Sequence, residues 1–114
     1  MVDDKKIKTR IVAAIRRVWF HSSLRREAVK RAKEGAFYRC NKCKGLHEKV
    51  QIDHIQPAID PSIGWVGYDS FITRLLYCGV DNLDALCVSC HKKKTLKEKK
   101  TRTKTKKDKK NVEN

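Results

Sequence analysis

Apolar residues recur every three or four positions near the start of the chain, which predicts two helices. Over residues 7–19 they form a single stripe, and the arginines of that stretch lie off it. The segment "HSS" then supplies serines that can cap a second helix over residues 23–34, which Gly35 ends. Both helices carry many basic residues, which suit either a solvated face or contact with phosphate.

The middle of the chain changes to short strand patterns. "AFYRC" predicts a strand that enters a Cys-x-x-Cys turn, and residues 48–55 alternate as a second strand. Because a turn separates them, these two strands are predicted to form a hairpin. Residues 56–67 contain both prolines of the chain and two glycines, so they predict a loop.

Helical spacing returns in the second half. Residues 68–78 predict an amphipathic helix with Asp69 or Ser70 as its cap. A further helix is predicted to begin at Leu86 and to fray into the C-terminal tail. The fold class is therefore a small α+β protein, and its 114 residues allow at most one domain.

Charge is unevenly distributed along the chain. The formal net charge is +15, and residues 92–114 hold more than half of the excess. A lysine-rich segment buries nothing and repels itself, so residues 97–114 are predicted to be a disordered tail. Its expected partner is a polyanion, most commonly nucleic acid, because the tail lacks the apolar face that a membrane-surface helix needs.

Four of the five cysteines form two matched pairs. Cys40 and Cys43, and Cys87 and Cys90, each have Cys-x-x-Cys spacing, which predicts a tetrahedral structural zinc site. Such a site would stabilise a core that is small for its length. Cys78 lies on the apolar face of the predicted third helix and is assigned no role.

The sequence predicts a cytoplasmic protein. No signal-peptide pattern and no stretch of transmembrane length is visible. In a reducing compartment, paired cysteines favour metal binding over disulfides.

Asp53, His54 and His91 are candidates for a second site. Four thiolates would fill the zinc coordination, which leaves His91 free, and closing the zinc site would bring its helix towards the strand that ends at Asp53 and His54. A carboxylate and an imidazole can hold one divalent cation, and another imidazole can take a proton from water. Together they would form a phosphodiesterase with one catalytic metal. Each residue alone is more often a surface hydrogen-bonding group.

"CNKC", "IDHIQP" and "DNLDALCVSCHKKKT" resemble the HNH endonuclease family, in the subclass that adds a four-cysteine zinc site to the ββα-metal fold. The resemblance spans residues 37–95, about half of the chain. The segments before the first cysteine pair and around the inserted helix 68–78 are similar to small HNH proteins of bacteriophages.

The resemblance implies a role for each motif residue. His54 would be the general base, Asp53 and His91 the ligands of the catalytic metal, and Asn82 the residue that braces the loop and helps to fix the base. Asn82 also suits an ordinary turn. Three consecutive lysines are candidate phosphate contacts or solvated side chains: Lys92, Lys93 and Lys94.

The implied reaction is hydrolysis of a DNA phosphodiester to a 5′-phosphate and a 3′-hydroxyl. Mg²⁺ or Mn²⁺ is the usual catalytic cofactor in the family, with Ni²⁺ accepted by some members, beside the structural Zn²⁺. One active site cuts one strand, so a monomer would nick. DNA binding is expected to be largely independent of sequence, because the basic segments contact phosphates.

The resulting organisation has three parts: a basic helical region over 1–36, an HNH nuclease domain over 37–96, and the tail over 97–114. The resemblance to phage proteins implies DNA processing or packaging, with a terminase or packaging protein as partner. The alternative is a non-catalytic zinc-finger protein that binds DNA or assists packaging. An RNA-binding zinc protein fits less well, because clustered aromatic residues for base stacking are lacking.

Overall fold

A computed structural model describes residues 4–113, and the side chains as far as residue 107. It has a small α+β fold with two small antiparallel sheets, as the composition of helical and strand patterns predicts. The helices are α1 (Asp4–Phe20), α2 (Ser23–Ala32), α3 (Tyr68–Leu76) and α4 (Val88–Glu113). The strands are β1 (Lys33–Glu34), β2 (Phe37–Arg39), β3 (Leu46–His47), β4 (Gln51–His54) and β5 (Leu83–Leu86), and a 3-10 turn (Val80–Asn82) precedes β5.

The predicted N-terminal helices are present, with one change at their end. Ser22 caps α2, because its hydroxyl accepts a hydrogen bond from the backbone N–H of Arg25 at 3.2 Å. The helix ends at Ala32, two residues before the predicted end, because residues 33–34 form β1. Gly35 turns the chain between β1 and β2 with φ +62°, a conformation that glycine adopts readily.

The predicted hairpin between the 36–40 strand and the 48–55 strand is wrong. β2 lies between β1 and β3, so the strand that returns from the Cys40–Cys43 turn is only Leu46–His47. β4 instead pairs with β5, with Asp53 opposite Asp84 and His54 opposite Leu83. Residues 83–86 satisfy the hydrogen bonds of β4 from across the long insertion, and α4 accordingly begins at Val88 instead of Leu86.

The apolar core lies between the N-terminal helices and the inserted helix α3. Trp19, Phe71 and Leu75 form its buried cluster, and Ile52 of β4 packs against them. The insertion is therefore part of the core. α3 ends at Leu76, two residues before its predicted end, and Gly67 precedes it without a side-chain cap where the sequence predicts Asp69 or Ser70.

A second buried cluster consists of Cys40, Leu86 and Cys87, with Cys90 packed against it. Three of its four members are thiols. This side of the molecule therefore depends on cysteine side chains where a larger protein would bury aliphatic ones.

α4 is helical as far as Glu113, where the sequence predicts a disordered tail from residue 97. Lysine, arginine and glutamate favour helix, and residues 88–113 contain neither glycine nor proline, so nothing local ends the helix. The Thr105 hydroxyl also donates to the Pro61 carbonyl at 3.1 Å, which ties α4 to the 56–67 loop. Within residues 4–113, no helix is long and apolar enough to cross a membrane.

Candidate metal centre and candidate active site

The four paired cysteines converge, as their spacing predicts. Their sulfur atoms all lie within 4.8 Å of one another. Cys40 and Cys43 lie in the turn between β2 and β3, while Cys87 precedes α4 and Cys90 lies in its first turn. Cys40 and Cys87 are buried, whereas Cys43 is exposed and Cys90 is half-buried.

Backbone hydrogen bonds shape the two cysteine turns in the same way. The N–H of Cys43 points at the Cys40 sulfur and the N–H of Cys90 at the Cys87 sulfur, each at 3.5 Å. Lys44 adopts φ +63° to complete the first turn, and the N–H of Asn41 donates to the Ala85 carbonyl at 2.8 Å. That last bond fixes the first turn to β5, which leads directly to the second pair.

The thiols of the cluster have very different proton affinities. Burial raises the pKa of Cys40, but hydrogen bonds from the backbone of Cys43, Cys87 and Lys42 outweigh it and lower that pKa to about 6. Hydrogen bonding to Cys87, burial and the neighbouring Cys40 raise the pKa of Cys90 to about 12. Cys40 thus favours the thiolate form, whereas Cys90 needs a nearby cation before it can ionise near pH 7.

This donor set fits zinc. Zinc bound to four thiolates has Zn–S distances of about 2.3 Å, which places tetrahedral sulfurs about 3.8 Å apart. The cluster needs only a small contraction to reach that spacing. Among residues 4–107, whose side chains the structure describes, it is the only group of three or more cysteine, histidine or acidic side chains placed to share a metal ion. Cys78 lies outside it, half-buried.

His47 is a neighbour of the metal centre to which sequence reasoning assigned no role. Its Nε2 lies 3.5 Å from the Cys43 sulfur. An N–H from this ring can donate to the thiolate and limit its exposure to water. The signal was available in the sequence, because His47 follows Cys43 by four residues across a tight turn.

His54 is buried at the end of β4, with 6 % of its surface exposed. Its Nε2 lies 2.9 Å from the Leu75 carbonyl of α3, and its ring lies 4.4 Å from that of Trp19. Because a carbonyl oxygen can only accept, Nε2 carries the proton, and Nδ1 has a free lone pair in the neutral ring. Every buried side-chain nitrogen and oxygen of the described part has a partner, so the unbonded Nδ1 reaches solvent.

Several neighbours act on the pKa of His54. Burial lowers it most, since the charged ring loses its hydration. The Leu75 carbonyl and the Asp53 carboxylate raise the pKa, whereas the Lys94 and Arg16 cations lower it. The net direction is downward, so the imidazole is neutral near pH 7 and able to accept a proton.

Asp53 precedes His54 and binds a cation from α4. Its Oδ1 accepts from the N–H of His54 at 2.9 Å, and its Oδ2 lies 2.9 Å from the Lys94 ammonium. Like charges directly across a strand pair are unfavourable, and Asp84 stands opposite Asp53. Asn41 donates to Asp84 at 2.6 Å, so each carboxylate of the pair has its own donor.

Asn82 clasps the loop that follows His54. Its Oδ1 accepts from the N–H of Gln56 at 3.0 Å, and its Nδ2 donates to the Gln56 carbonyl at 3.3 Å. Its backbone carbonyl accepts from the N–H of Ile55 at 2.7 Å. These three bonds fix the backbone of residues 55–56, directly after His54.

His91 lies in the first turn of α4, next to Cys90, and is half-buried. Its backbone N–H donates to the Cys87 carbonyl at 2.9 Å. No hydrogen bond or ion pair within the described chain joins its ring to Asp53 or His54. Lys94, one turn further along α4, is the residue that reaches Asp53.

The three consecutive lysines differ in their surroundings. Lys92 and Lys93 are exposed, whereas the Lys94 side chain is 25 % exposed. Lys93, Lys94 and Lys97 line one side of a groove of about 670 Å³, whose other side includes Pro57 and Pro61. Sequence alone does not separate Lys94 from its neighbours, because its partner lies on a distant strand.

No protein-family model, curated protein or solved structure matches this chain.

Proposed function

We propose that this protein is a metal-dependent HNH endonuclease that nicks DNA by hydrolysing phosphodiester bonds. The observation that carries the proposal is the state of His54. Its Nε2 is committed to the Leu75 carbonyl, and its Nδ1 is free beside a carboxylate that already binds a cation. A buried, neutral and oriented imidazole is what a general base requires.

The order of elements around His54 supports the HNH resemblance. β4 and β5 are antiparallel neighbours, and α4 follows β5 after a single residue. Asp53 and His54 end the first strand, and His91 begins the helix, in the order that the resemblance implies. The cysteine cluster fixes the start of α4 next to the turn of the first cysteine pair.

In the proposed reaction, Nδ1 of His54 accepts a proton from water as the water oxygen attacks phosphorus. The bond from phosphorus to the 3′ oxygen breaks and that oxygen takes a proton from solvent, which leaves a 5′-phosphate and a 3′-hydroxyl. Asn82 acts as a positioning residue, because its three bonds to residues 55–56 fix the backbone that carries the imidazole.

Asp53 and His91 are the residues that would hold a catalytic divalent ion. The Lys94 ammonium at 2.9 Å is a stand-in that shows the Asp53 carboxylate accepting a cation from the α4 side. Lys94 follows His91 by three residues on α4, so the two side chains share one face of that helix. Mg²⁺ or Mn²⁺ bound there would stabilise charge on the phosphate and on the leaving oxygen.

DNA is the proposed substrate because of the positive charge of the chain. Exposed lysines and arginines lie along the surfaces of α1 and α4, and four lysines line the groove beside α4. Such surfaces bind phosphates without reading base sequence. Phage DNA processing or packaging remains the biological setting that the resemblance implies, with a terminase or packaging protein as partner.

Cleavage of supercoiled plasmid tests the proposal. The zinc-loaded protein is incubated with Mg²⁺ or Mn²⁺ in one set of reactions. In a second set, a chelator that is too weak to remove zinc from four thiolates replaces the added metal. We expect nicked circles from wild type, and a rate at least about 100-fold lower from His54→Ala, the lower bound for loss of a general base. His21→Ala is the matched control, because His21 is exposed between α1 and α2.

Two results would favour the alternative of a non-catalytic DNA-binding zinc protein. One is DNA binding without nicking by wild type with either metal. The other is equal nicking by wild type and His54→Ala, which would assign the activity to a contaminant. The cysteine cluster and the basic α4 are compatible with that alternative, but they do not require the arrangement of Asp53, His54 and Asn82.

A further inference from the structure

Lys94 is held by three acceptors at the candidate active site. Its ammonium lies 2.9 Å from Asp53 Oδ2, 2.5 Å from the His54 carbonyl and 3.7 Å from the Glu98 carboxylate. The His54 carbonyl and Asp53 lie at hydrogen-bond distance from the ammonium, and Glu98 adds a longer ion pair. A lysine with these contacts is unavailable to a ligand in this state.

The same ammonium stands where the catalytic cation would bind. Asp53 Oδ1 is already bonded to the N–H of His54, so Oδ2 is the oxygen best placed for a metal. A Mg²⁺ ion lies about 2.1 Å from a carboxylate oxygen that it coordinates. With Lys94 in place, the two cations would share one oxygen at close range and repel each other.

We propose that Lys94 is an internal counter-cation of Asp53, which leaves when the divalent ion binds and then pairs with a DNA phosphate. The proposal rests on the endonuclease function proposed above and deepens it. The consequence is that metal and DNA bind cooperatively, because DNA receives the lysine that the metal displaces. Such coupling is reciprocal, so DNA raises metal affinity by the same factor.

The groove beside α4 supplies a destination for the displaced side chain. Lys94 lines that groove together with Lys93 and Lys97, and a phosphate there would meet three ammonium groups. Glu98 lines the groove as well, one turn beyond Lys94. A swing of the Lys94 side chain away from Asp53 into the groove therefore keeps Glu98 as its neighbour.

The test is Mn²⁺ binding by the zinc-loaded full chain without DNA. The electron paramagnetic resonance signal of free Mn²⁺ measures how much of the ion is bound. Lys94→Gln removes the charge and keeps an amide that can reach the His54 carbonyl, and Lys94→Met removes both. Lys49→Gln is the matched control, an exposed lysine just before β4. Zinc content and circular dichroism confirm that each variant is folded, and the amide of Lys94→Gln preserves the hydrogen bond on which folding would depend.

We expect both Lys94 variants to bind Mn²⁺ at least about 5-fold more tightly than wild type, the lower end of typical coupling between sites. Lys49→Gln should stay within about twofold of wild type, and Asp53→Asn should lose binding. In a His54→Ala background, a short duplex should tighten Mn²⁺ binding with Lys94 present and have less effect in Lys94→Gln.

Unchanged or weaker Mn²⁺ binding by Lys94→Gln would overturn the proposal, because Lys94 would then be a structural clasp. Absence of Mn²⁺ binding in every variant would overturn it too. These outcomes are separate from plasmid nicking. If wild type nicks DNA but its Mn²⁺ affinity does not depend on Lys94, the nuclease proposal stands and the counter-cation proposal fails. If Mn²⁺ affinity depends on Lys94 but wild type does not nick DNA, only the counter-cation proposal stands.

Discussion

The two nitrogens of His54 have different surroundings, and the difference originates in the inserted helix. Leu75 lies in the last turn of α3, where backbone carbonyls have no partner within the helix. Its carbonyl is therefore free to accept from Nε2 of His54. The insertion, which interrupts the strand pair in sequence, thus fixes the tautomer of the candidate base.

The lowered pKa of His54 predicts a dependence of stability on pH. An unfolded histidine has a pKa of about 6.5, so below that pH the unfolded chain binds a proton that the native ring resists. The contribution of neutral His54 is complete above about pH 6.5 and is lost as the pH falls towards the lower native pKa. The free energy of unfolding can change by at most about 1.4 kcal/mol per pH unit from this group.

Urea unfolding of zinc-loaded wild type and His54→Gln at pH 7.5 and 5.5 isolates this effect. Both proteins keep the same cysteine cluster, so any effect of acid on zinc binding cancels in the comparison. Wild type should lose more stability than His54→Gln on acidification. Parallel losses in the two proteins would mean that the pKa of His54 is not lowered by folding.

Zinc binding is the main prediction for the two cysteine turns. Cys40 is completely buried in the smaller core, and its partners there are mostly other ligands. Structural zinc contributes about 10–16 kcal/mol in small domains, so loss of one thiolate of four should weaken zinc binding by at least about 100-fold. Cys40→Ser should show this loss, and Cys78→Ser should not.

Competition with a chromogenic chelator measures zinc affinity for both variants, and circular dichroism follows the fold. Cys78→Ser is the matched control because this thiol lies outside the cluster. Equal zinc affinity of Cys40→Ser and wild type would exclude the cluster as the binding site.

Local periodicity was sufficient to predict α1, α2, α3 and β4, but not the length of α4 or how the strands pair. β1 and β3 have two residues each, too few to show an alternating pattern. No strand was predicted over residues 83–86, because their partner β4 lies across the whole insertion. The cysteine cluster was predictable because two matched Cys-x-x-Cys pairs are a pattern typical of zinc sites. The contact of Lys94 with Asp53 was not, since forty residues separate them.

The protein is elongated because α4 continues beyond the two cores. Its principal extents are 54 × 28 × 21 Å, and a helix of 26 residues is about 39 Å long. The first turn of this helix packs Cys90 against the smaller core, and the lysine-rich residues 97–107 after it carry no apolar stripe. The lysine-rich segment that was predicted to be a disordered tail is instead an ordered part of α4, which extends beyond the cores beside the candidate active site.

If α4 tracks the DNA backbone, its lysines should control how salt weakens binding. Each phosphate contact contributes about 0.9 to the slope of log K against log salt for duplex DNA. Replacing Lys99, Lys100 and Lys104 by glutamine should lower that slope by up to about 2.7. All three are exposed on α4 and do not line the groove.

A control variant that loses three lysines outside α4 removes the same charge. It separates the effect of where the lysines lie from the effect of net charge. Lys30, Lys33 and Lys49 are exposed outside α4 and serve as this control when replaced by glutamine. Fluorescence anisotropy of a labelled duplex from 50 to 200 mM salt, about the range over which such slopes are measured, gives both values. A smaller slope for the α4 triple than for the control places the DNA along α4. Equal slopes would mean that the chain attracts DNA by its overall charge, because only a contact made at α4 depends on where the three lysines lie.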